Sequence, residues 1–250
     1  MVMSIAEQTL VSPTPALDPA RSALFLDLDG TLAPIAPRPD AVGPDARRSG
    51  LLRRLVGSTN GRLAVVSGRT LPDLDRILEH EVPTLAAVHG LVRRDARGLV
   101  RLSPKPAGIA LALAAFRAFA ARHAGTIVED KDLSVTLHYR QAPDLAAAAL
   151  AEAQRIAART GLILQPGKMV MELRAPGPDK GDSVRAFMAE PPFAGATPIF
   201  LGDDLTDEAG FAAAEQLGGF GVLVGAERAS AARYRLTGPE AALAWLEAAP

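Results

Sequence analysis

The stretch ALFLDLDGTLAPI, residues 23–35, opens as a run of four apolar residues and then sets two aspartates one residue apart before a glycine. A short apolar run of this kind reads as a buried strand. A buried strand does not crowd two carboxylates at its tip without a reason, because like charges in a small space resist ionisation. Asp27 and Asp29 therefore need a cation.

Four further apolar runs bounded by turn residues lie at 62–66, 85–88, 198–201 and 220–224. Helical patterns sit between them, at about 45–56, 71–79, 180–189 and 206–216, with a last one at 239–248. Strand and helix in alternation predict an α/β core, a parallel sheet with helices on both faces. The middle of the chain differs. Helices over 105–123 and 143–160 alternate with strand candidates at 125–129, 133–139, 162–165 and 168–173. SVTLHY, residues 134–139, alternates as a strand with one wet face does, so this region predicts a compact α+β insert. The proline- and glycine-rich stretches RLSPKPAG and RAPGPDKG flank it as hinges. The expected organisation is a flexible leader over 1–20, a core over 21–100 and 175–250, and an inserted domain over 101–174.

Three core strands end in polar clusters: Asp27-Leu28-Asp29-Gly30-Thr31, Ser67-Gly68-Arg69, and Gly202-Asp203-Asp204-Leu205-Thr206-Asp207-Glu208. Ligands of open parallel sheets bind outside the carboxyl ends of the strands, so the three clusters converge on one crevice. Asp27, Asp29 and Asp203 offer only oxygen, with no Cys or His cluster beside them, and such donors suit a hard ion, Mg²⁺ first. Thr31, Ser67 and Lys180 offer hydroxyl and ammonium donors suited to phosphate, and the amides near Gly30 and Gly68 are open to close approach.

The order DLDGT, VVSGR, Lys180 in PDKGDS, and GDDLTDE resembles the haloacid dehalogenase superfamily of phosphotransferases. The resemblance implies a Rossmann-like parallel-sheet core with an inserted α+β cap. It implies Asp27 as nucleophile and Asp29 as general acid and then base. Mg²⁺ would be held by the carboxylates of Asp27 and Asp203 and the main-chain carbonyl of Asp29, with Asp204 and Asp207 holding its waters. Thr31, Ser67, Gly68 and Lys180 would bind phosphate. A narrower resemblance, to the bacterial trehalose-6-phosphate phosphatases, rests on HGLVRRD (89–95), VEDKDLSVTLHYRQAP (128–143), GKMVMELR (167–174) and GDDLTDEAGF (202–211), and runs over about 22–247. It implies trehalose 6-phosphate as substrate, with sugar contacts at Glu129, Lys131, Arg140, Lys168 and Glu172. Another sugar phosphate, or a sugar-phosphate sensor without turnover, are the alternatives.

Read without that resemblance, Lys168 and Glu172 are an exposed ion pair on one face of a strand before they are a binding pair. Met169 and Met171 then face the core. His89 either borders the phosphate or sugar site or is a hydrogen-bonded structural histidine. His138 reads as structural, and Trp245 as packing.

Composition excludes other classes. The 250 residues are 48% hydrophobic and 22% charged, so the chain folds, and a net charge of −1 leaves no basic stripe for nucleic acid. With no cysteine there is no disulfide, zinc–thiolate site or cysteine nucleophile. No apolar run reaches the length of a membrane span, and the first residues do not read as a signal peptide. The expectation is a cytoplasmic monomer acting on a small molecule, with no nucleic-acid or membrane partner.

Overall fold

The computed structural model describes residues 14–250. The chain divides into two compact units, one running up to Arg101 and resuming at Pro178, the other comprising Leu102–Gly177.

The first unit begins with β1 (Ser22–Leu26), α1 (Ala46–Ser58), β2 (Leu63–Val66), α2 (Leu71–Ile77), β3 (Thr84–Ala87), β4 (Val92–Arg94) and β5 (Val100–Leu102). The second holds α3 (Gly108–Ala120), β6 (Ile127–Asp130), β7 (Ser134–His138), α4 (Ala146–Thr160), β8 (Ile163–Gly167) and β9 (Val170–Arg174). The chain then returns to the first with α5 (Lys180–Met188), β10 (Thr197–Gly202), α6 (Glu208–Gln216), β11 (Phe220–Val224), β12 (Tyr234–Leu236) and α7 (Pro239–Glu247).

The large sheet has the order β12-β11-β10-β1-β2-β3-β4-β5. It is parallel from β12 to β3, and β4 pairs antiparallel with β3. β1 lies between β2 and β10, so the chain winds outward from it in both directions and the topological switch falls between β1 and β10. All five residues of β1 and all four of β2 are buried, as expected where helices cover both faces. On one face Phe25 stacks with Phe193 at 5.5 Å between ring centroids, and Phe200 meets Phe211 edge-on at 5.6 Å.

The five expected core strands are present, each within about a residue at its ends. β4, β5 and β12 were not expected. Each is three residues long with an arginine in its centre, too short to show a hydrophobic period. Residues 1–13 of the expected leader lie outside the described residues. Residues 14–20 do not trail: Leu17 is buried, and the Pro15 carbonyl accepts a 2.8 Å bond from Trp245 Nε1.

In the second unit the four strands run β6-β7-β9-β8, all antiparallel. Val135, Leu137, Met171 and Leu173 face one way and pack with Ile109, Phe116, Ala149 and Ile156 of α3 and α4. The alternate positions form the other, polar face. Among the described residues, no helix of the chain is long and apolar enough to cross a membrane.

Candidate active site

Asp27 leaves β1 and Asp203 leaves β10. The two strands pair with Leu26 opposite Leu201, and the Asp27 amide donates to the Leu201 carbonyl at 2.9 Å. Ser67 leaves β2 on the other side of β1. Three adjacent strand ends thus supply the site, as the convergence of the sequence motifs required.

Lys180 is the first residue of α5. A capping box fixes the helix start: the Asp179 carboxylate accepts from the Asp182 amide at 2.8 Å, and that of Asp182 from the Asp179 amide at 3.0 Å. The Lys180 side chain is 3% exposed, and its Nζ donates to Asp27 Oδ1 at 2.9 Å and Asp207 Oδ1 at 2.7 Å. Burial alone pulls the ammonium's pKa down, but the carboxylates of Asp207 and Asp27 more than offset it, and the net shift is upward. Asp27 goes the other way for an acid. Burial pushes its carboxyl well above the usual range, Lys180 opposes that, and the nearby charges of Asp207, Asp203 and Asp29 reinforce it.

One oxygen each of Asp27, Asp203 and Asp207 lies within 4.8 Å of the others. Asp207 is held at both oxygens: its Oδ2 accepts from the Asp203 and Asp204 amides, both at 2.9 Å, and its Oδ1 takes Lys180. Asp207 is therefore built to hold the loop, whereas Asp27 and Asp203 flank the strand ends. Asp204 Oδ1 accepts from the Leu205 amide at 2.7 Å and caps the short turn before α6. Behind this turn Arg228 donates to the Asp204 carbonyl at 2.9 Å, and Glu208 accepts from Ser230 and the Ala231 amide. A cluster of carboxylates alone, one of them reluctant to ionise, fits a hard divalent cation.

The glycines of the motifs have steric work. A Cβ on Gly30, whose φ is +89°, would lie 2.1 Å from Asp203 Oδ2, so Asp203 reaches the cluster only because residue 30 has no side chain. A Cβ on Gly68 would meet His89 Nε2 at 2.5 Å. His89 itself is buried at φ +57°, and its amide donates to the Ser67 carbonyl, which places its ring against the second motif. Thr31 is fully buried and its Oγ1 meets no hydrogen-bond partner among the described residues, an orphan consistent with a hydroxyl kept for a ligand.

Arg69 is the residue whose partner the sequence concealed. Its Nε and Nη2 donate to Asp29 Oδ2 and Oδ1 at 2.6 and 2.7 Å, and its Nη1 to the Pro39 carbonyl at 2.9 Å. Such a two-bond fork fixes the Asp29 carboxylate plane. The one available signal was the arginine directly after Ser67-Gly68.

The second unit gathers most of the residues implied for sugar contact. Lys131 Nζ lies 3.8 Å from Glu129 Oε2 and 3.7 Å from Glu172 Oε2, although β6 ends one residue before Lys131. His138 Nε2 is 2.8 Å from Glu129 Oε2, so this histidine orients a carboxylate. Burial would raise the Glu129 carboxyl, but the His138 bond and the Lys131 charge hold it below its usual range. Glu172 is 4% exposed and accepts from Ser134 Oγ, so its carboxylate is buried rather than exposed as the residues alone suggest. Lys168 also departs from expectation. It precedes β9, in the turn where Met169 adopts φ +63°, and its carbonyl accepts from Arg140 Nη2 at 3.0 Å. Met171 is buried and Met169 packs partly against the same apolar cluster, as expected.

The trehalose-phosphatase family model matches residues 25–240. The trehalose-6-phosphate phosphatase of Escherichia coli K12 is 42% identical over 240 residues, covering 95% of this chain and 89% of that protein. A solved trehalose-6-phosphate phosphatase related protein superposes with a TM-score of 0.74 at 26% identity, covering 90% of this chain and 95% of the other. A haloacid dehalogenase-like hydrolase from Bacteroides thetaiotaomicron, at 16% identity and a TM-score of 0.62, covers 91% of this chain and 98% of its own, and shares the fold. With a matched family model across nearly all of the folded chain and a relative this similar over its length, the chain belongs to the trehalose-phosphatase family and is a phosphatase.

Proposed function

We propose that this phosphatase hydrolyses trehalose 6-phosphate to trehalose and phosphate, the last step of trehalose biosynthesis, through an aspartyl-phosphate on Asp27. The observation that carries the chemistry is the buried cluster in which Lys180 bridges Asp27 and Asp207 beside Asp203. The substrate rests on the 42% identity to the E. coli enzyme of that name.

Asp27 Oδ attacks phosphorus and the bond from phosphorus to the sugar oxygen breaks. Asp29 gives that oxygen its proton, then takes one from the water that attacks the phosphorus of the ester on Asp27. Phosphate leaves and the Asp27 carboxylate is restored. To reach the leaving oxygen, Asp29 exchanges one of its two Arg69 bonds. Lys180, Ser67, Thr31 and the amide of Gly68 hold the phosphoryl oxygens as their charge shifts. Asp27, Asp203 and the Asp29 carbonyl would hold Mg²⁺, with Asp207 and Asp204 orienting its waters. The bound ion supplies the charge that lets a buried Asp27 stay ionised next to an anionic ester. Glu129, Lys131, Arg140, Lys168 and Glu172 recognise the sugar, carboxylates accepting from its hydroxyls and cations attracting the ester.

The test is phosphate release from a panel of trehalose 6-phosphate, glucose 6-phosphate and an aryl phosphate, with Mg²⁺ and after exhaustive chelation. The expected kcat/KM for trehalose 6-phosphate exceeds the others by about 100-fold or more, and chelation abolishes turnover. Comparable rates on all three substrates would remove the substrate assignment, and full activity after chelation would remove the metal site.

A further inference from the structure

The polar face of the second unit holds a hydroxyl, that of Thr136, with no role in the proposed reaction. Thr136 lies in the centre of β7, opposite Glu129 of β6 on one side and Glu172 of β9 on the other, with Gln165 of β8 opposite Glu172. Directly opposed residues of an antiparallel sheet share a face, so Glu129, Thr136, Glu172 and Gln165 form one row across the sheet. Ser134 and His138, two residues to either side along β7, share that face.

Each neighbour of Thr136 is engaged. Ser134 donates to Glu172, His138 bonds Glu129, and Lys131 stands within 4 Å of both carboxylates. Thr136 is 1% exposed, and its Oγ1 has no hydrogen-bond partner among the described residues. A buried hydroxyl left without a partner keeps its desolvation penalty uncompensated, so it requires an explanation. Thr31 carries the same orphan inside the proposed phosphate site. Thr84 carries it too, but its neighbour across the strand is Ala64, and nothing there points to a ligand.

The row offers an acceptor, a hydroxyl and a second acceptor, with cross-strand neighbours about 5 Å apart. Carboxylates only accept, whereas a hydroxyl both gives and accepts. A polyol matches this order: two of its hydroxyls donate outward to Glu129 and Glu172, and another pairs with Thr136. We infer that Thr136 Oγ1 is a specificity-determining contact to a ring hydroxyl of the sugar phosphate. The inference rests on the sugar-phosphatase reading above.

Thr136→Val keeps the branched shape and removes only the hydroxyl, while Thr136→Ser keeps the hydroxyl. The readout is kcat/KM for trehalose 6-phosphate divided by kcat/KM for an aryl phosphate, together with the melting temperature. Thr136→Val is expected to lower the ratio about tenfold, mostly through KM, with no fall in melting temperature, and Thr136→Ser to stay within about twofold of wild type. An unchanged ratio in Thr136→Val overturns the inference while leaving the function intact. A lower melting temperature or a chain that does not fold also overturns it, because the hydroxyl then serves the fold. Wild-type protein that releases no phosphate from trehalose 6-phosphate overturns the functional reading, and the inference with it.

Discussion

Asp27→Asn is expected to lower turnover of trehalose 6-phosphate by about 10⁴-fold or more, while the protein stays folded. The amide has the shape of the carboxylate and keeps an oxygen for Lys180 Nζ, now 2.9 Å from Asp27 Oδ1. It cannot attack phosphorus, and loss of a nucleophile removes most of the rate that a catalytic unit supplies. The fold tolerates the change because Lys180 retains Asp207, and because burial already disfavours the charged form of Asp27. The measurement is steady-state phosphate release beside a circular dichroism melt. Activity above about a hundredth of wild type removes Asp27 from the role of nucleophile.

Lys180→Met has the second large effect, and it acts on stability as well as rate. The methionine fills much of the same volume but leaves Asp27 and Asp207 buried without the cation they share. Breaking a buried pair by deleting one partner costs about 3–5 kcal/mol, because the remaining charge is uncompensated. Loss of the donor proposed to hold the phosphoryl oxygens is expected to lower kcat by a further factor of about 10²–10³. Urea unfolding and phosphate release measure the two separately. Unchanged stability would mean that the carboxylates find another counter-charge, and unchanged kcat would take Lys180 out of the phosphate site.

What the sequence made legible was local. The run ending in Asp27 announces its strand, its polar tip and its need for a cation within nine residues, 23–31. The alternating elements locate the parallel core, and the two proline- and glycine-rich stretches at 101–108 and 174–181 bracket the inserted unit, Leu102–Gly177. What stayed hidden depends on pairs far apart in the chain. Arg69 binds Asp29 across 40 residues, and nothing in SGR says which acid it will meet. Glu172 reads as exposed because a lone acid in a strand usually is. Its burial depends on Ser134, 38 residues away, and on a lysine just outside β6. Gly30 illustrates a third limit. The sequence explains it by amide access to phosphate, whereas the structure adds that the Asp203 carboxylate occupies the space a side chain would need. Lys168 shows the reverse error: strict alternation put it on a strand, but the hairpin turn takes residues 168 and 169 out of the ladder.

The most direct test of the account is a single turnover of trehalose 6-phosphate quenched in acid, followed by digestion and mass analysis of the peptide that contains Asp27. The account predicts one phosphoryl group on Asp27, formed before free phosphate appears and absent from the Asp27→Asn protein. Phosphate released at the normal rate with no phosphoryl group on that peptide, or with the group on another residue, would contradict it.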